Sequence, residues 1–205
     1  MATLVLGWLD ASGAGCRAVD AAAASAKAAF TEGGETPWAT TARAPEGGRV
    51  FASLRTPAAT TRESNEAALA VREMLKGDDK VLLVLAARMG ARTKPLRFEC
   101  GAEAGAIEKE DAADVARAMQ EPTLAAAAHV LRSAGVSATA IVVPGYAPAR
   151  GATCDPDAVD ALSALVHAEL GVPQGTPAAG AAEFTYASPV RLGVNHGDSA
   201  ETMYR

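Results

Sequence analysis

The sequence predicts an α/β fold: a single three-layer domain with a mostly parallel sheet of about four or five strands, plus an irregular C-terminal arm. Strand-like and helix-like segments alternate across residues 3–171. The apolar run at residues 81–87 is typical of a strand buried on both faces, as parallel strands are. Residues 172–205 have no helical or strand period. We therefore divide the chain into an α/β domain, residues 1–171, and an extended arm, residues 172–205.

Five segments of the domain predict strands, because each is a short apolar stretch bounded by turn residues. In chain order they are residues 3–9, 49–55, 80–87, 95–100 and 138–143. A Thr- and Pro-rich connection, residues 35–46, precedes the second of them. An α+β arrangement is the alternative, in which the strands of the 80s and 90s form a hairpin.

Five further segments predict helices from their apolar stripes and end signals. Thr60 and Glu63 form a capping-box pattern, in which each side chain satisfies a backbone N–H, and Gly77 suits the end of that helix. Asp155 before a proline is typical of a helix start, and Gly171 of its end. In chain order the helical segments are residues 16–30, 61–76, 111–120, 124–134 and 156–170.

Alanine dominates the apolar composition, and this limits the core. Hydrophobic residues are 49% of the 205, but 50 of them are alanine, and aromatic residues are only 4%. Each alanine buries little area, so its stabilisation is small at about 25 cal/mol per Å². A domain of this kind gains stability from partners, which favours a subunit of a larger assembly over a self-sufficient enzyme.

Charge and cysteine patterns exclude several classes of protein. The net charge of −5 lacks the overall basic character of a nucleic-acid-binding protein. No run of 18 apolar residues predicts a membrane span, and the N-terminus predicts neither a secretory signal nor a transit peptide. Cys16, Cys100 and Cys154 form no C-x-x-C pair. We therefore expect no metal site, no disulfide framework and a reducing, cytoplasmic setting.

The turn after the first strand is a candidate ligand site. Residues 13–18 match G-x-G-x-x-A between a strand and a helix, as in the dinucleotide-binding fingerprint. At such a turn Ser12, Gly13 and Gly15 would let backbone N–H groups approach a phosphate. Asp10 departs from the pattern, because it would place a carboxylate beside that phosphate. The plainer interpretation is a glycine-assisted strand-to-helix turn.

A basic segment follows the strand at residues 80–87. Arg88, Arg92 and Lys94 would lie at the carboxyl edge of the sheet, where open α/β sheets bind ligands. Residues 43–97 hold 11 Lys/Arg against 6 Asp/Glu, whereas residues 99–121 hold 2 against 7. This asymmetry suits docking in an ordered assembly. Solvated loop charge is the ordinary interpretation of the same pattern.

The arm carries large apolar side chains that are spaced as anchors for docking. They are Phe184, Tyr186, Val190, Leu192, Met203 and Tyr204. The docking surface is the arm's own domain or another protein subunit.

Two functions are open from the sequence. The first is a non-catalytic interaction or structural subunit of a larger homo- or hetero-oligomeric assembly, docking through the arm and the charged flanks. The alternative is an α/β enzyme or ligand-binding protein for a nucleotide or phosphorylated metabolite. Cys16 at a helix start is a candidate nucleophile, but neither it nor His129 or His167 has a partner at catalytic or metal-ligand spacing. We prefer the first function, with other protein subunits as partners, no cofactor, no nucleic acid and no membrane.

Overall fold

The computed structural model describes residues 3–8, 10, 12–35, 39–45, 48–54, 61–75, 80–89, 94–102, 105, 109–146 and 154–174. Within these residues the chain forms seven strands and five helices. The strands are β1 (Thr3–Trp8), β2 (Ala29–Glu35), β3 (Ala39–Arg43), β4 (Arg49–Leu54), β5 (Lys80–Ala87), β6 (Leu96–Glu99) and β7 (Ala138–Pro144). The helices are α1 (Ala14–Ser25), α2 (Thr61–Met74), α3 (Lys109–Ala118), α4 (Pro122–Ser133) and α5 (Pro156–Leu170).

One sheet joins the seven strands in the order β2-β3-β4-β1-β5-β7-β6. The four central strands, β4, β1, β5 and β7, are parallel to one another. Antiparallel strands extend the sheet at both sides, β3 and then β2 beside β4, and β6 beside β7. The prediction of an α/β domain with a mostly parallel sheet is confirmed, and the sheet has more strands than the four or five expected.

Helices cover both faces of the sheet, because alternate residues of the central strands point to opposite sides. Leu4, Leu6 and Trp8 of β1 belong to the core that α2, α3 and α4 cover. Val5 of β1 belongs to the second core, beneath α1 and α5. The domain is therefore the predicted three-layer structure. In the second core α1 contributes small side chains, so it can lie close to the sheet and to α5: Ala14, Ala18, Ala22 and Ala23.

The predicted helix at residues 16–30 is wrong at its C-terminal end. Helix α1 ends at Ser25, and Lys27 adopts a positive φ of 54°, which breaks the helical path. Ala29 then begins β2, which pairs with β3 in an antiparallel hairpin. Alanine is the best helix former, so the alanine-rich segment gave no signal that the helix would stop. The connection predicted at residues 35–46 contains β3.

The alternative hairpin of the 80s and 90s strands is also wrong. Strand β7 lies between β5 and β6, and β6 pairs with β7 instead, Leu96 opposite Val142. The last helix follows the prediction at both ends. Asp155 accepts a hydrogen bond from the Ala158 N–H, and Gly171 ends α5 with a φ of 61°.

The predicted arm lies almost wholly outside the described residues, which end at Gln174. All six predicted anchors of the arm, from Phe184 to Tyr204, therefore stay predictions, as does the division of the chain at residue 171. None of the described helices is both long and apolar enough to cross a bilayer.

Candidate functional site

The carboxyl edge of the four parallel strands is where the fold favours a ligand or partner site. Strand β1 leads through α1, β2 and β3 to β4 on one side, and the chain later crosses through α2 to β5 on the other side. Such a reversal leaves a crevice at the carboxyl ends of β1 and β5, and open α/β sheets bind ligands at that place. The predicted residues Ser12, Gly13, Gly15 and Arg88 all lie at this edge.

A buried carboxylate fills the turn between β1 and α1. Asp10 is only 6% exposed, and its carboxylate accepts five hydrogen bonds. Oδ1 accepts the Ser12 N–H at 2.9 Å, the Ser12 hydroxyl at 2.6 Å and the Ala14 N–H at 3.3 Å. Oδ2 accepts the Gly15 N–H at 3.0 Å and the Ala86 N–H of β5 at 2.8 Å. The carboxylate thus joins the start of α1 to the neighbouring strand.

The same turn is the one proposed from the sequence to cradle a phosphate. The Gly13 N–H donates to the main-chain carbonyl of Asp10, so four successive N–H groups, from Ser12 to Gly15, bond to Asp10. Ala14 and Gly15 are the first residues of α1, and their N–H groups lack partners within the helix itself. An external phosphate at Ser12, Gly13 and Gly15 would have to displace a carboxylate of the protein.

Burial raises the pKa of the Asp10 carboxyl, and the hydrogen bonds from Ser12, Ala86, Gly15 and Ala14 oppose that rise. The two effects have separate causes, since loss of water destabilises the charged form and N–H donors stabilise it. Burial is the larger of the two effects, and the surrounding donors favour the charged form.

Gly15 is required by the close approach of α1 to the sheet. A Cβ placed on Gly15 would lie 2.5 Å from the Val84 carbonyl oxygen and 2.6 Å from the Trp8 carbonyl oxygen. These are backbone atoms of two strands, which cannot move aside as a side chain can. The second glycine of the motif therefore serves helix–strand packing.

A second turn closes over the first. The Asp155 N–H donates to the Ser12 carbonyl at 2.8 Å, and the Tyr146 N–H donates to the Asp155 carboxylate at 3.2 Å. A Cβ on Gly145 would lie 2.5 Å from the Ala86 Cβ. The carboxyl ends of β1, β5 and β7 are thus tightly joined at this point.

A small cavity of about 280 Å³ opens beside this junction. Its polar lining comes from Arg88 after β5 and from the end of α3 and the following turn: Arg117, Gln120 and Glu121. Ala86, Ala87 and Gly145 form the rest of the wall. Burial raises the pKa of the Glu121 carboxyl, and the charge of Asp10 adds to that rise.

The sequence predicted one of the four polar residues of this cavity, Arg88. Lys94 is exposed and precedes β6, and it is not among the residues that line the cavity. Arg92 lies outside the described residues. Arg117, Gln120 and Glu121 were missed, because the end of a polar helix carries no signal that it faces a strand end.

Cys16 and His167 have structural surroundings. Cys16 is fully buried, and its Sγ lies 2.8 Å from the Leu54 carbonyl oxygen, to which the thiol donates. His167 is buried, with Nδ1 2.6 Å from the Ser163 carbonyl oxygen and Nε2 3.0 Å from the Ser25 hydroxyl. It therefore links α5 to α1. In the described part of the chain, no three His, Cys, Asp or Glu residues lie together as metal ligands.

We expect iodoacetamide to alkylate Cys154 well before the other two cysteines of the folded protein. Cys154 is partly exposed, whereas Cys16 and Cys100 are buried. Burial, with a further contribution from the charge of Glu99, raises the pKa of the Cys100 thiol to about 12, and the reactive species is the thiolate. Mass spectrometry of tryptic peptides measures each site, and labelling in urea is the control in which all three react. Rapid labelling of Cys16 in the folded protein would contradict its structural role.

Comparison with known proteins rests on the fold. No protein-family model matches the chain, and no curated protein matches its sequence. A protein of unknown function from Thermoplasma acidophilum matches with a TM-score of 0.60 and 10% identity, over 100% of this chain and 90% of that one.

Two further matches come from Pyrococcus furiosus. PbaA, described as an archaeal homolog of proteasome-assembly chaperone, has a TM-score of 0.53 and 12% identity, over 98% of this chain and 95% of that one. PbaB, described as an archaeal proteasome activator, has a TM-score of 0.54 and 10% identity, over 100% of this chain and 93% of that one. The chain therefore shares its α/β fold with these proteins along nearly the full length of each.

Proposed function

We propose that the protein is a non-catalytic assembly factor that binds other protein subunits, with subunits of the proteasome as the first partners to test. The observation that carries the proposal is the shared fold with PbaA and PbaB, which spans at least 98% of this chain and 93% of each of theirs. The alanine-rich helices and the split charge of the sequence favour the same role.

The surroundings of Asp10 weigh against the alternative of a nucleotide or phosphorylated metabolite as ligand. The N–H groups that would hold a phosphate already donate to this carboxylate. A phosphate beside Asp10 would also bring two anionic groups together in a buried place, where their repulsion is strong.

Docking is proposed to use the arm, residues 172–205. In the chain, the arm follows α5, the last described helix. Its apolar anchors, among them Met203 and Tyr204, suit pockets on a neighbouring subunit, because aromatic and Met side chains are enriched at protein interfaces. The charged flanks of the domain would then orient the complex.

Removal of residues 175–205 tests this role of the arm. We expect the full-length chain to bind purified proteasome subunits from the same organism, and the shortened chain to bind at least about tenfold more weakly, because a few anchors carry most of the energy of an interface. Surface plasmon resonance measures the affinity, and circular dichroism shows whether the shortened chain is folded.

A matched variant, Tyr204→Ala with Met203→Ala, tests two anchors in the full-length chain. We expect this variant to keep the thermal stability of the wild type and to lose most of the affinity that the deletion removes. Equal binding of the shortened and full-length chains would contradict docking through the arm. Absence of binding to both free and assembled subunits would contradict the proteasome as the partner.

A further inference from the structure

The cavity at the carboxyl edge of β5 and β7 has features that the assembly role does not use. Its lining residues include two arginines, Arg88 and Arg117, and Gln120. Arg117 is held in place by Asp114, whose Oδ1 lies 3.3 Å from its Nη1. Arg88 is exposed and forms no ion pair with the described residues. Arg88 therefore offers the cavity a guanidinium that no described carboxylate pairs with, and Glu121 adds a carboxyl to the same lining.

We propose that this cavity binds a carboxylate on a short aliphatic stem, such as a glutamate side chain or a small aliphatic acid. An arginine guanidinium presents a planar pair of N–H donors that matches the two oxygens of a carboxylate. The Gln120 amide can add a further donor. Ala86, Ala87 and Gly145 offer an apolar wall for the methylene groups of the stem.

The size and charge of the cavity favour a carboxylate over a phosphate. Its volume of about 280 Å³ is at the lower limit for ligand pockets, so it suits a small group. Glu121 forms part of the lining, with Oε1 3.2 Å from the Thr123 hydroxyl that donates to it. This carboxyl and the nearby charge of Asp10 would repel a phosphate dianion more strongly than a monoanion, which can pair with Arg88.

The inference is independent of the assembly role, because it concerns the isolated domain and not the arm. Its test is a titration of the ¹⁵N-labelled full-length protein, followed by NMR. Three probes are compared: propionate, the capped peptide acetyl-Gly-Glu-Gly-amide and inorganic phosphate. We expect the first two to give saturable shifts at the N–H groups of Ala87, Gln120 and Gly145, with phosphate at least about tenfold weaker because of the repulsion from Glu121.

Matched variants assign the binding to the cavity. Arg88→Gln is expected to weaken propionate binding about tenfold, the usual effect of losing one charge-assisted pair of hydrogen bonds. Arg72→Gln changes an exposed arginine in the last turn of α2, outside the cavity, and is expected to leave the affinity unchanged. Both variants alter exposed side chains, so folding is retained.

The outcomes separate the sources of the ligand and test the proposal. Tighter binding of the peptide than of propionate would identify an acidic side chain of a partner, and equal affinities would identify a free aliphatic acid. The proposal is overturned if no probe gives saturable shifts, if phosphate binds as well as propionate, or if Arg88→Gln binds like the wild type. None of these results depends on whether the arm binds the proteasome.

Discussion

Replacing Asp10 with alanine is expected to lower the free energy of unfolding by about 4 kcal/mol, because the change leaves several buried N–H donors without an acceptor. Four N–H groups lose a hydrogen bond: those of Ser12, Ala14, Gly15 and Ala86. The Ser12 hydroxyl loses its acceptor as well. Equilibrium unfolding in urea measures the effect.

Two variants control for the size and charge of the side chain. Asp10→Asn keeps the shape but turns an NH₂ group toward N–H donors, so we expect an intermediate loss of about 2 kcal/mol. Asp160→Asn changes an exposed residue of α5 and is expected to change stability by no more than about 0.5 kcal/mol. An Asp10→Ala protein as stable as the wild type would show that water satisfies the turn and that the carboxylate is dispensable.

The Asp10→Ala variant also tests the phosphate interpretation of the turn. Once the carboxylate is removed, the N–H groups of Ser12, Ala14 and Gly15 are available to an external anion. We expect millimolar phosphate to raise the melting temperature of this variant and to leave that of the wild type unchanged. Stabilisation of the wild type by phosphate would restore the nucleotide or phosphometabolite alternative.

Replacing Gly15 with alanine is expected to cost about 3 kcal/mol, at the upper end for overpacking in a close-packed core. The added Cβ would meet the carbonyl oxygens of Val84 and Trp8 within 2.6 Å. To relieve this overlap, α1 would have to move away from the sheet. That movement would weaken the contacts of its buried alanines and stretch the hydrogen bond from the Gly15 N–H to Asp10.

Gly105→Ala is the matched control for this change. Among the described residues, a Cβ on Gly105 would meet no atom within 4 Å, so we expect no measurable loss of stability. Thermal unfolding of the two variants beside the wild type gives the comparison. If Gly15→Ala were as stable as Gly105→Ala, the close contact of α1 with β1 and β5 would not be tight in solution.

The sequence predicted best those elements whose signals are local. The apolar run of β5 and the cap and end of α5 were located correctly, because each depends on residues adjacent in the chain. The end of α1 and the hairpin of β2 and β3 were not located. Their boundaries depend on the positive φ of Lys27 and on pairing with β4, and neither is encoded by the alanine and threonine residues of that segment.

The candidate site shows a similar limit. From the sequence, Asp10 lies near the glycine turn and departs from a phosphate-binding pattern. Which donors the carboxylate accepts depends on the fold of the turn, and one of them, the Ala86 N–H, is 76 positions away in the chain. The cavity is likewise formed by residues from three separate segments, so only Arg88 could be found by its place after a strand.

The short strand β6 limits how the protein can aggregate. It is the last strand at its side of the described sheet and spans only Leu96–Glu99. Arg97 on this strand pairs with Glu169 of α5 at 3.0 Å. A foreign strand that paired with this edge would meet a short strand with a charged side chain. Native proteins use short, charged edge strands to prevent amyloid-like growth. A partner is therefore not expected to add a strand beside β6.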